Sequence, residues 1–65
     1  MRREEIPPFF INKKIKLVKN DGFSLIGFIR EISETSILFE TDQATAKISL
    51  DNIGELVLRK DENNE

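Results

Sequence analysis

Apolar and polar residues alternate in short runs along most of this chain, at a spacing of two rather than three or four, which predicts strands and not helices. Ile15 and Leu17 face one way and Lys14, Lys16 and Val18 the other, so Lys14 to Lys19 reads as a first strand with a basic outer face. Asn20-Asp21-Gly22 follows as a hairpin turn: Asn and Asp tolerate turn conformations, and Gly22 supplies a positive φ without steric cost. The second strand, about Phe23 to Ser33, is apolar on both faces. Phe23, Leu25 and Ile29 share one, with Gly27 between them, and Ile26, Phe28 and Ile32 share the other. A long strand of this kind is expected where it curls so that each half buries a different face. A glycine inside a run of β-formers weakens the strand unless the backbone bends or is closely approached there, so Gly27 reads as a bend, with a local bulge as the alternative.

Ser36 to Thr41 predicts a third strand, with Ile37 and Phe39 opposed to Leu38, and Asp42 to Thr45 a polar turn. Ala46 to Leu50 predicts a fourth, with Ile48 and Leu50 on one face, and Asp51-Asn52 ends it. Ile53 to Leu58 is the fifth, and Gly54 lets the chain turn at its start. Residues 13–58 are therefore read as one all-β domain, a small five-stranded, strongly bent antiparallel barrel of SH3-like type. Its expected core is Ile15, Leu17, Leu25, Ile29, Ile37, Phe39, Ile48 and Ile53. Residues 1–12 are an arm: Met1 to Glu5 is too short and charged to order itself, while Pro8 to Asn12 suits a short helical or 3₁₀ turn that lays Phe9, Phe10 or Ile11 over an open barrel end. The alternative for the paired phenylalanines is a stacking platform for bases. Residues 59–65 contain no apolar side chain and read as a disordered tail.

A chain of 65 residues buries only about 60% of the surface that its unfolded form exposes, so its core alone confers modest stability, and association is a common remedy. Cysteine and histidine are both absent. No disulfide, no thiolate zinc site and no conventional base for a nucleophilic serine is expected, and the carboxylates are scattered over turns; we therefore expect no enzyme activity, no catalytic residue, no bound metal and no cofactor. No apolar run approaches a membrane span, and the charged start leads to Pro7-Pro8 rather than to a signal-peptide core, so a soluble, cytoplasmic protein without a membrane partner is expected. The net charge of −2 hides a polarity. Residues 1–20 carry six basic side chains against two acidic ones, and residues 21–65 four against ten. The lysines serve either as a binding surface or as a solvated face that discourages edge-to-edge aggregation.

The run Ile15 to Ile29 resembles the first motif of Sm-like proteins, the bacterial Hfq branch included. That motif has a turn glycine, a hydrophobic residue three later, a second glycine two beyond it and a further hydrophobe; Gly22, Leu25, Gly27 and Ile29 fit it. Ile37-Leu38-Phe39 is similar to the aliphatic third strand, the short turn at Asp42 to Thr45 to that of Hfq, and Ile48 to Leu58 to the last two strands. The resemblance implies a head-to-tail homo-oligomeric ring in which the fourth strand of one subunit pairs with the fifth of the next, with Ala46, Ile48, Leu50, Leu56 and Leu58 at the interface and Ser33, Thr35, Asp51 and Asn52 on loops around a pore. The base-pocket residues of the family do not carry over. Ser33 stands at the aspartate position, Ile37 or its neighbours at the asparagine, Glu34 where Hfq has a glutamine, and Ser49-Leu50-Asp51 where Hfq has tyrosine, lysine and histidine.

Two functions are weighed on these grounds. One is an Sm-like oligomer in RNA metabolism or riboregulation, whose RNA contacts fall to Lys13, Lys14, Lys16, Lys19 and Arg30 as backbone neutralisers rather than to base recognition. The other is a protein-interaction or scaffold module on the same barrel, motivated by the acidic body and by the outward hydrophobes Ile26, Phe28 and Val57.

Overall fold

Five strands form where the alternation places them: β1 (Lys14–Lys19), β2 (Ser24–Ile32), β3 (Ser36–Glu40), β4 (Thr45–Ser49) and β5 (Ile53–Leu58). A computed structural model describes residues 1–59, and in it these strands make one antiparallel sheet in the order β4-β3-β2-β1-β5. The remaining regular structure among the described residues is three 3₁₀ turns, Arg3–Glu5, Pro8–Phe10 and Leu50–Asn52. From Lys60 onward, the predicted tail lies outside the described residues.

One face of the curled sheet is the core. Leu17 opposes Leu25 and Ile15 opposes Gly27 across β1 and β2, and Ile29 opposes Phe39 across β2 and β3. Ile15, Leu17, Ile29 and Phe39 are wholly buried, with Ile37, Ile48 and Ile53 packed among them. Each such side chain contributes about 1.5–3 kcal/mol by leaving water. Leu25, expected in this group, is only half-buried, while Ile6 and Leu50 join it. Gly22 adopts the positive φ its turn requires, at 91°. At Gly27 the β3 backbone comes so close that an added Cβ would overlap the Glu40 carbonyl oxygen and lie 3.0 Å from the Phe39 ring. Only a residue without a side chain fits there.

The structure departs from the alternation at two places on β2. The register of β2 against β3 shifts between Ile29 and Glu31, so an extra residue at Arg30 reverses the parity beyond it. Ile32, which strict alternation puts on the face of Ile26 and Phe28, consequently opposes the buried Ile37 and packs against the core, and Glu31 takes the outward place opposite Leu38. Phe23, expected inward with Leu25, precedes the strand in the hairpin turn and is 60% exposed.

The expected closure into a barrel is not made by strand pairing, because β4 and β5 lie at opposite ends of the sheet. The link between them, Leu50–Asn52, is a 3₁₀ turn with Leu50 buried, and it delivers β5 to β1 instead of folding it back on β4 as a two-residue hairpin would. Three residues reach at most about 10 Å, so the two sheet ends converge at this corner even though they do not pair. Hydrogen bonds fix the corner. Leu50 donates its N–H to the Thr35 carbonyl (2.9 Å), Asn20 donates its backbone N–H to Asn52 (2.9 Å), and the Asn20 side-chain amide donates to the Asp51 carbonyl (2.6 Å). Gly54 serves this lock rather than a turn, since a Cβ there would come within 3.1 Å of Asn20 Oδ1.

The arm is better ordered than its charge suggests. Arg2 donates its N–H to Glu5 Oε1 (2.9 Å) across the first 3₁₀ turn, and Ile6, just beyond it, is buried in the core. Phe10 and Ile11 pack partly against the core, whereas Phe9 is 60% exposed, edge-on to Phe10 at 5.2 Å. Ile11 forms a parallel bridge with Ile29, and Asn12 donates its N–H to the Ile29 carbonyl (2.8 Å). Asn12 itself takes φ 66°, a left-handed conformation that asparagine tolerates, to redirect the chain into β1.

Candidate functional site

The sequence-derived cations do not form one set. Lys14 and Lys16 point outward from β1, and the neighbours they sit between are Phe28 and Ile26 on β2, with Val57 on β5 opposite Lys16. Lys13 is exposed just before the strand. Lys19 lies beyond a register shift at Val18 and Lys19, at the hairpin end, with its Nζ 6.0 Å from the Phe23 ring centroid. Arg30 is committed elsewhere. Its Nε donates to Glu40 Oε1 and its Nη1 to Asn12 Oδ1, each at 2.7 Å, while its guanidinium carbon lies 4.9 Å from the Phe28 centroid. These bonds make Arg30 a clamp between arm, β2 and β3, and its charge is offset by Glu40. Lys13, Lys14 and Lys16 have no ion-pair partner among the described residues.

The four loop candidates divide in the same way. Thr35 and Asp51 are brought to one cleft of about 340 Å³, which Glu34, Leu50, Arg2, Arg3 and Glu4 also line. Ser33 stays in its own loop, donating its N–H to the Ser36 carbonyl (2.7 Å), and Asn52 faces Asn20 and Lys19 on the other side of the turn. Asp51 donates its N–H to Ser49 Oγ (3.3 Å), a side-chain cap that shapes the turn. Sequence reasoning missed Arg2 and Arg3 here. Their position follows from the burial of Ile6, and the signal for it was a lone isoleucine between a charged run and Pro7-Pro8. Arg2 lies 3.6 Å from Glu4, both well exposed, so this pair adds little.

The proposed interface residues are split by burial. β4 and β5 are the free edges of the sheet, as an edge-to-edge contact requires. Ala46, Leu56 and Leu58 are exposed or half-buried along them, and Leu58 is 43% exposed. Ile48 and Leu50 are core side chains, 8% and 4% exposed, and would meet a neighbour only through their backbone. The outward hydrophobes Ile26 and Val57 are 41% and 39% exposed, with Lys16 between them in one cross-strand row.

Among the described residues no group of histidine, cysteine, aspartate and glutamate side chains is gathered to hold a metal, and no helix is long and apolar enough to cross a membrane. In comparison with known proteins the chain matches no family model, no curated protein and no solved structure.

Proposed function

We propose that this chain is the protomer of a cytoplasmic, Sm-like homo-oligomer that closes its bent barrel with its neighbours and binds single-stranded RNA through its lysine face. The observation that carries the reading is the pair of free edges, β4 and β5, at the two ends of a five-stranded sheet. Among the described residues each has a strand partner on one side only, neither contains proline, and they are five and six residues long. A β4 edge can accept the β5 edge of a second copy, and because the two surfaces differ, the contact is head-to-tail, which forms a ring when the rotation between copies closes. A ring of about six subunits follows from the resemblance to Sm-like proteins, with a dimer as the smaller closed alternative.

RNA affinity in this reading comes from Lys14 and Lys16, repeated in every subunit, with Lys13 and Lys19 beside them. Phosphate neutralisation of this kind releases counterions and is lost as salt rises. The acidic body opposes it, each protomer adding −2, so modest affinity and little base preference are expected. Titration of labelled oligouridine and oligoadenine at low and then physiological salt tests the reading. Binding of both, abolished by Lys14→Glu with Lys16→Glu, is expected; no binding at low salt by either would remove RNA from the account.

The exposed row of Ile26 and Val57 supports a second reading, a scaffold that holds a protein partner on the same sheet. Recovery of a defined protein partner after nuclease treatment, with no bound nucleic acid, would favour it.

A further inference from the structure

β2 changes neighbours halfway along its length. β1 lies beside Ser24–Phe28 and β3 beside Phe28–Ile32, so among the described residues no strand occupies the β3 side of residues 24–27. The phase of the ladder identifies the groups left open. Lys19 donates its N–H to the Phe23 carbonyl (2.7 Å), which means that Phe23, Leu25 and Gly27 turn their backbone groups toward β1 while Ser24 and Ile26 turn theirs away. Among the described residues, Ser24 and Ile26 have no backbone partner on that side. β3 does not run on into the gap, because after Glu40 the chain turns off, Thr41 donating its N–H to the Ala44 carbonyl at 2.8 Å. What remains is an open groove of about 620 Å³ between residues 24–28 and the turn Thr41 to Gln43, with Lys14, Arg30 and Glu40 along its margin.

We propose that this groove takes an extended peptide segment of a partner protein, added to β2 as a short strand, apolar on its inward side and acidic on its outward side. The backbone chemistry selects the occupant: two N–H and two C=O groups, on residues two apart along an extended edge, are matched by another extended peptide, and neither a base nor a phosphate repeats donors and acceptors at that spacing. On the inward side, an added residue lies beside half-buried Leu25, so an apolar group fits there, while the Glu40 carbonyl already covers Gly27 and ends the groove. On the outward side lie exposed Ile26 and, one strand further, Lys14 and Lys16. Among the described residues those two lysines have no ion-pair partner, whereas Arg30 is matched by Glu40 at 2.7 Å. Asp42 on the opposite bank is the carboxylate that opposes an acidic ligand, and two lysines stand against it. The open stretch of four residues is about 13 Å long, enough for a short strand. The proposal needs neither an oligomer nor RNA, and it uses an edge that pairing through β4 and β5 leaves free.

The test is an amide-resolved NMR titration of the full chain with a capped six-residue peptide alternating valine and glutamate. Expected are shifts centred on Ser24 and Ile26 and at least about tenfold slower hydrogen exchange of those two amides. Methylation of the peptide nitrogens that face β2 should weaken binding by about tenfold or more, as should Ile26→Pro, which removes one of the open donors without touching the β1 ladder. If Ile26→Pro fails to fold, the methylated peptide tests the same bonds from the ligand side. A peptide with lysine in place of glutamate should bind several-fold more weakly at low salt. Shifts confined to other residues, equal binding of the methylated peptide, or equal binding of the lysine peptide would overturn the proposal. So would protection of Ser24 and Ile26 before any peptide is added, which would mean that a second copy already fills the edge.

Discussion

The two halves of β2 are one continuous strand, yet they live in different surroundings. Phe28–Ile32 has β3 on one side, touches the arm through Ile11 and Asn12 on the other, and places Ile29 against Phe39 in the deepest part of the core. Ser24–Gly27 has β1 on one side and open groove on the other, with Leu25 only half-buried and Ile26 exposed. Gly27 is the joint between them. The difference shows how a small chain divides its work: one half of a bent strand is spent on stability, and the other is left with backbone and apolar surface free for contacts.

That contrast can be broken most severely from the buried half. Phe39→Ala removes a wholly buried ring that no neighbour can replace, and about 3–5 kcal/mol should be lost, enough to leave a domain of this size largely unfolded. Urea unfolding followed by circular dichroism would measure it. Striking the joint comes next: Gly27→Ala places a methyl group against the Glu40 carbonyl and the Phe39 ring, and forcing β3 away should cost about 1–3 kcal/mol. If Gly27→Ala is neutral, the two halves are not joined by a close backbone approach.

Arg30→Ala should have a smaller effect, about 1 kcal/mol, because the bonds it removes are partly solvated. Its signature is positional. Amides of Ile11 and Asn12 should exchange faster while those of β1 keep their protection, since Arg30 ties the arm to the sheet through Asn12. The smallest effect on stability is expected in the open half, where Ile26→Ser should change unfolding free energy by less than about 0.5 kcal/mol. A loss comparable to that of Phe39→Ala would mean that the outward face is packed, and the contrast would fail.

Much of this architecture could be read from the chain because period-two alternation carries its own structural code. Ile15, Leu17, Ile29, Ile37, Phe39, Ile48 and Ile53 fell on the inward phase of their strands and are buried, and Gly22 sat where a turn requires glycine, whereas Gly27, read as a bend, answers instead to the close approach of the Glu40 carbonyl. The pattern failed wherever the alternation was interrupted. A single extra residue at Arg30 reversed the phase for Ile32, and no local feature of the sequence marks it. Leu50 lies on a 3₁₀ turn, where a period of two has no meaning, so its burial was mistaken for an available interface. Ile6 is buried in a core drawn from distant strands, and the arginines before it share a cleft with Thr35 and Asp51, beyond the reach of any local pattern. The functional residues were less legible still. Lys14 and Lys16 stood out as outward cations, but Arg30 looked the same in sequence and is bound up in a structural clamp.

The central claim is that the free edges of β4 and β5 are assembly surfaces, and light scattering on the purified chain at moderate salt tests it most directly. A closed oligomer is predicted, with a mass of about six protomers, each 7.5 kDa, that persists through the micromolar range. Leu58→Pro sharpens the result: on the ladder phase set by Arg59 donating its N–H to the Lys14 carbonyl, the Leu58 N–H points to the free edge, so the substitution should lower the mass while leaving the β-sheet circular dichroism signal in place. A monomer of 7.5 kDa across the micromolar range would contradict the account.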